Sequence, residues 1–312
     1  MTEIIATVES IPQAKALLEA GVDRLYFGED EFGLRLPTSF SREEQAELTS
    51  LAHEYGKKVT VAVNAIFHND RIEKLPEYLT FLKSINVDVI SVGDPGVMQV
   101  MKQEEYNIPF TYDAQVIVTS SKHINFWAKR GAISAVVSRE VPRESMKVLA
   151  ENAKVPVEVL VYGATCIHQS KRPLLQNYFN FIKREESTSK QRELFISEPQ
   201  KEDSHYGIYQ DMNGTHIFAS DDVLLAEYLH ELAEMGVEQW KLDGIFSPGE
   251  NFVEIARLFV DARDKINAGT WDSNQGFLLA QNIRKLHPEV RTLEPGFYVL
   301  NPEDVKYKED MK

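Results

Sequence analysis

Eight short runs of Val, Ile, Leu, Thr and Tyr recur along the chain, each closed by a turn and most followed by an amphipathic stretch. No other feature constrains the fold as strongly. The runs are Ile4–Val8, Arg24–Phe27, Lys58–Val63, Asp88–Val92, Pro109–Tyr112, Ser134–Val137, Val157–Val161 and Gln239–Leu242. They show little polar alternation, as expected of parallel strands covered by helices on one face and core on the other. Their spacing of about twenty to thirty-five residues is that of one βα unit, and only the last step is longer. Eight units predict a closed (β/α)₈ TIM-type barrel rather than an open sheet.

Helix punctuation agrees with this beat. Gly21 ends a helix over Pro12–Ala20, and Ser41 with Glu43 and Glu44 caps one that reaches Tyr55 and stops at Gly56. Another helix is predicted near Ile72–Ile85. A strongly amphipathic helix follows the eighth run over Asn251–Ile266, and a shorter one covers Gln275–Leu286. The barrel domain is therefore placed at 1–268 and a C-terminal helix and tail at 269–312. An insertion at about 167–220 contains KREESTSKQRE and EPQKEDSHYG, polar stretches without clear periodicity. It is expected to be partly irregular and to lie at the top of the barrel. Long loops in compact domains are more often functional than idle.

With 312 residues, 43% of them hydrophobic, the chain can bury a large core. Forty-eight acidic against 34 basic residues give a formal charge of −14, which argues against non-specific nucleic-acid binding by the whole surface. The richest basic stretch runs from Lys171–Arg172 to Lys183–Arg184. Cys166 is the one cysteine, so no intramolecular disulfide forms. The opening MTEIIATVES has no basic leader before an apolar core, and no apolar run approaches a membrane span. A cytoplasmic protein without membrane contact is the expectation.

Barrels of this kind carry their sites where the C-terminal ends of the strands emerge. Here those ends are polar: Glu9, Glu29, Asn64, Asp94, Asp113, Gln115, Arg139, Glu140, Tyr162, His168 and Asp243. Any one of them also fits a helix cap or a rim ion pair; their coincidence at one end predicts a ligand site. Glu9 and Asp243 lie on adjoining first and last strands and form a candidate carboxylate pair. Cys166 and His168 are too few for a structural metal, and His205 and His216 add no tight spacing, so no metal is expected. As a nucleophile, Cys166 needs a base in hydrogen-bond reach and a third orienting group; the blander reading is a partly buried thiol. The turn Gly93-Asp94-Pro95-Gly96 opens a helix over Val97–Lys102, with Asp94 as its cap and Pro95 at its first position. No Gly-rich phosphate loop is present.

Several segments, taken in order, resemble the collagenase-like peptidase family U32. They are AGVDRLYFG (20–28), FGLR (32–35), GKKVTVAVN (56–64), VDVISVGDPGV (87–97), AVVSRE (135–140), VLVYGATC (159–166), DMNGTHIFASDD (211–222) and LAEMGVEQWKLDG (232–244). In cluster-bearing members of that family, cysteines after the GA-x-C element ligate an iron–sulfur cluster. Here GATCIHQSKRPLLQNYFNFIKRE keeps only Cys166, Pro173 stands at the second cysteine position, and no cysteine follows before Ser220. A cluster takes about four thiolates, so the chain resembles a cluster-less branch, with no cofactor expected. It has neither the HExxH helix nor the GxSxG elbow of hydrolases.

One branch of the family is similar in being short and cysteine-poor: the partner in a two-protein system for prephenate-dependent 5-hydroxylation of the wobble uridine in tRNA. That resemblance implies a tRNA-modification component working with a cluster-bearing paralog that makes most phosphate contacts. It also implies a small anionic ligand such as prephenate, or a nucleotide, in the barrel mouth. On this reading Arg35, Asn64, Arg139 and Lys241 orient the ligand, with Glu9, Asp94, Gln115 and His168 as further contacts. Glu140 or Asp243 handles protons, and Cys166 is the remaining catalytic candidate. A peptidase or other hydrolase, as the family label suggests, and a non-catalytic scaffold stay open as alternatives, as does a homodimer in place of the heteromer.

Overall fold

Strand β1 (Glu3–Thr7) pairs in parallel with β2 (Arg24–Gly28), and the parallel ladder continues through five more strands. These are β3 (Lys58–Val63), β4 (Val89–Val92), β5 (Phe110–Tyr112), β6 (Ala132–Val136) and β7 (Val157–Gly163). A computed structural model of the chain describes residues 2–103, 106–114, 117–184 and 192–301. The eighth stave, Gln239–Leu242, pairs in parallel with both neighbours, placing Ile4 opposite Trp240 and Trp240 opposite Val159. The sheet therefore closes into the expected (β/α)₈ barrel.

Burial explains why these runs lack alternation. Every residue of β2 and of β7 is buried, because one side of each strand meets the lumen and the other meets helices. Between the staves lie α1 (Ile11–Glu19), α2 (Arg42–Glu54), α3 (Asn69–Ile72), α4 (Leu75–Ser84), α5 (Pro95–Gln103), α6 (Ser121–Ala128) and α7 (Arg143–Asn152). Local chemistry starts them. Ser10 Oγ accepts from the Gln13 amide, and Ser41 and Glu44 form a reciprocal capping box.

Of the stretch expected to be partly irregular, residues 185–191 lie outside the described residues, and the rest is largely regular. It folds as β8 (Cys166–Ser170), α8 (Leu174–Phe181), β9 (Phe195–Glu198), β10 (Lys201–Asp211) and β11 (Gly214–Phe218). The four strands form an antiparallel sheet in the order β8-β11-β10-β9. Its apolar side is local: Tyr209 and Phe218 pack with Ala164, Ile245 and Phe246, while Leu175, Phe179 and Ile208 form a second small cluster.

The chain then adds β12 (Asp221–Leu224), antiparallel to β7, before α9 (Leu229–Glu234) and the closing stave β13 (Gln239–Leu242). Helix α10 (Glu250–Asn267) buries Phe252, Val253, Ile255, Ala256, Phe259, Val260 and Ala262 along one stripe. After α11 (Ser273–Leu286), β14 (Thr292–Glu294) pairs in parallel with β12. Buried Arg291 grips Asp222 there, its Nε donating to Oδ1 at 3.0 Å and its Nη2 to the same oxygen at 2.5 Å. Among the described residues no helix is long and apolar enough to cross a membrane.

Candidate functional site

The upper ends of β2, β3, β5, β6, β7 and β13 converge on one funnel. Its inner hollow is lined by Tyr26, Asn64, Asp113, Arg139, Glu158, Lys241 and Asp243, among others. An outer vestibule shares Leu34, Arg35, Asn64, Asp113 and Cys166 with it, so the two are continuous. The space open to water is about 60 Å³ inside and about 510 Å³ in the vestibule, enough together for a small organic molecule.

Polar groups inside a barrel must find partners, and most of these do. Asn64 Nδ2 donates to Asp113 Oδ2 at 2.7 Å and to the Tyr26 hydroxyl at 3.3 Å, while its Oδ1 accepts from the Leu34 amide at 3.0 Å. Ser91 also donates to Asp113 Oδ2, at 3.0 Å. The other carboxylate oxygen of Asp113 is buried without a hydrogen-bond partner. Lys241 Nζ sits 3.0 Å from the centre of the Tyr26 ring and 3.9 Å from Glu158 Oε1. Burial lowers the Lys241 ammonium to a pKa of about 8, against the pull of Glu158, Asp243 and Asp113. Burial likewise raises the Glu158 carboxyl, with Lys241 opposing.

Arg139 and Asp243 face each other at 3.9 Å, and Arg139 also donates to the Ala164 carbonyl. Burial lowers the guanidinium and raises the carboxyl, each opposed by the other's charge. Gly163 brings β7 and β13 this close. Its φ is +124°, and a Cβ there would lie 2.4 Å from the Asp243 carbonyl oxygen, so only glycine fits.

Arg35 differs from the other cations. It holds a left-handed backbone, φ +54°, unusual for a side-chain-bearing residue. It is 8% exposed, and its Nη1 donates to Gln169 Oε1 at 2.9 Å and lies 4.0 Å from Cys166 Sγ. Among the described residues no carboxylate lies within ion-pair reach of it. Cys166 itself donates to the His168 carbonyl at 3.3 Å.

The remaining predicted residues divide. Arg35, Asn64, Arg139, Glu140, Cys166, Lys241 and Asp243 all line the inner hollow, Glu140 from an exposed position. Asp94 and His168 stand at the vestibule. Asp94 is the cap read from its turn: its Oδ1 accepts from the Gly96 amide at 2.7 Å and its Oδ2 from the Phe67 amide at 3.1 Å. Glu9 is a correction. Its Oε2 accepts from the Gly249 amide at 2.8 Å and from Gln13 Nε2 at 3.1 Å, fastening the β1 loop to the start of α10. It does not line the funnel or pair with Asp243. Tyr162 turns outward, its hydroxyl within hydrogen-bond distance of Ser247 and His287. Gln115 lies outside the described residues.

Tyr26, Glu158 and Asp211 escaped sequence reasoning, and His216 was weighed only as a metal ligand. The signal for Glu158 and Lys241 was there: a charge embedded in an otherwise apolar strand needs a partner across the lumen. One thiol does not supply a cluster's ligands, and among the described residues no three His, Cys, Asp or Glu side chains gather as a metal site.

The sequence model of peptidase family U32 matches residues 9–308. Over 301 residues the chain is 33% identical to tRNA hydroxylation protein P2 of Bacillus subtilis (strain 168), covering 95% of this chain and 97% of that one. To tRNA hydroxylation protein P1 of the same organism it is 26% identical, covering 78% of this chain and 58% of that one. The solved structure of the U32 peptidase Mk0906 superposes with a TM-score of 0.51 at 16% identity, over 80% of this chain and 94% of that one. That last likeness concerns the fold alone. The chain belongs to peptidase family U32.

Proposed function

We propose that this U32 protein is the pocket-bearing component of a tRNA-hydroxylation system that modifies the wobble uridine at C5, and that it works beside a paralogous subunit. What carries the reading is the match to the B. subtilis P2 protein over nearly the full length of both chains, joined to a polar funnel of small-molecule size. P1 and P2 are two related proteins in one organism, which supports a two-protein arrangement. The ligand is a small organic anion of the prephenate kind. Arg35, Arg139 and Lys241 supply its charge partners, Asn64 fixes its orientation, and Asp243 or Glu140 exchanges protons with it.

The chain carries no iron–sulfur cluster of its own, because Cys166 stands alone and Pro173 replaces the next family cysteine. The paralog holds the cluster. It also makes most contacts to tRNA phosphates, since a net charge of −14 repels them.

Mass spectrometry of tRNA nucleosides tests this. Deleting the gene should remove 5-hydroxyuridine-derived nucleosides, and complementation with an Arg139→Ala, Asp243→Ala variant should fail to restore them. Unchanged nucleosides in the deletion strain would reject the reading. Full restoration by the double variant would leave a scaffold role instead.

A further inference from the structure

The bulge in the β8–β11 ladder assembles a group that neither strand could form in regular register. Gln169 pairs with His216 and His168 with Ile217, but Phe218 then pairs with Cys166, skipping Ile167. Residues 166 and 169 would otherwise point to opposite faces; the extra residue returns Cys166 to the face of Gln169 and His216. There the thiol stands on the same face as the His216 ring, one strand across. His216 is fully buried, and its Nε2 lies 3.0 Å from Asp211 Oδ1. Its Nδ1 is buried and has no hydrogen-bond partner among the described residues. Asp211 is oriented in turn, accepting from the Asn213 amide at 2.7 Å. Tyr209 packs on the imidazole at 4.9 Å between ring centres. On the funnel side Cys166 lines both hollows beside the guanidinium of Arg35, which has no carboxylate in ion-pair reach among the described residues.

We propose that Cys166, His216 and Asp211 form a nucleophilic constellation at the neck of the funnel, poised to add reversibly to the keto carbon of an α-keto acid held by Arg35. Nucleophile, base and orienting acid are all present. The guanidinium fork matches the adjacent carboxylate and carbonyl oxygens of such a ligand. In the step, the sulfur electron pair of the thiolate forms the C–S bond and the C=O π pair moves onto oxygen. The resulting alkoxide sits against Arg35, while the proton stays on His216. No oxidant or further reactant is consumed.

The electrostatics agree. Burial pushes the Cys166 thiol up, but the neighbouring His216 ring and the charges of Arg35 and Arg139 outweigh it and hold the thiol below its ordinary value. Burial pushes His216 down, and Asp211 and Cys166 more than reverse this. The groups facing this set are Arg35, Arg139, Asp211, Tyr209 and, over the Tyr209 ring, Arg192.

The inference rests on the pocket being a site for a small organic anion, and the test separates the two. Iodoacetamide labelling of Cys166 in the full chain, followed by peptide mass spectrometry, reads the thiolate. Near neutral pH, His216→Gln and Asp211→Asn should each slow labelling, the former about tenfold or more for each pKa unit lost. Phenylpyruvate should protect Cys166, and phenyllactate, which lacks the keto group, should protect much less. A ¹³C-labelled keto carbon should move from the trigonal to the tetrahedral shift range on binding, and should not with Cys166→Ser. Equal protection by both acids with no tetrahedral signal overturns covalent addition and leaves the anion site standing. Protection by neither overturns the ligand class. Labelling that is slow in the unmodified chain, and indifferent to both variants, overturns the constellation itself.

Discussion

The floor of the funnel and its inserted wall are built on opposite electrostatic plans. On the floor each buried cation faces a carboxylate at 3.9 Å: Lys241 with Glu158, Arg139 with Asp243. On the wall, Arg35 has a thiol and an amide in reach and no carboxylate among the described residues, and the ion pair of Asp211 with His216 stands behind the sulfur. The floor is thus a settled network whose loss is a loss of stability. The wall leaves Arg35 without a carboxylate among the described residues where the inner hollow meets the vestibule, so loss of that side chain is expected to show in binding rather than in stability.

Substitutions test that division. The largest effect is expected from Glu158→Ala, which strands Lys241 in the barrel and should cost about 3–5 kcal/mol in urea unfolding. A cost under about 1 kcal/mol would show that the floor is wetter than the contacts imply. Next come two buried histidines with opposite signs. Burial, helped by the charge of Arg291, lowers His287 from 6.5 to about 4. Its contribution is therefore present above pH 6.5 and lost as pH falls toward about 4. That makes about 2–3 kcal/mol of acid-side destabilisation, which His287→Gln should flatten. His216 is raised, so its contribution is present below pH 6.5 and is lost as pH rises through its folded value. Urea midpoints across pH for the two variants should bend in opposite directions.

Asp211→Asn should cost about 1.5–3 kcal/mol, since it weakens a charge-assisted bond without emptying the site. Smallest of all is Arg35→Gly. Relief of the left-handed backbone offsets the lost contacts, so stability should shift by less than about 1 kcal/mol while anion binding, followed by calorimetry, disappears. A large destabilisation there would erase the contrast between wall and floor.

How much of this was legible follows the same boundary. Lys58–Val63 and Gln239–Leu242 were read with the bounds the strands have, because a strand buried on both faces announces itself through its own residues. The funnel residues at strand ends followed from the barrel. The inserted sheet did not, because β10 (KEDSHYGIYQD) is polar over much of its length and its partners lie across turns that periodicity cannot see. His216 reaches Cys166 through a register shift, which no spacing rule anticipates. Glu9 misled for the reverse reason: a carboxylate at a strand end satisfies a nearby backbone amide as readily as a ligand.

The stave that closes the barrel is also the one that brings Lys241 and Asp243, and it pairs with a strand made of the chain's first residues. Seven staves are available once residue 163 has been made, and the seam between β7 and β1 stays open until residues 239–242 follow. The hollow lined by Lys241 and Asp243 is complete only when residues near 243 are free to reach back to residue 3.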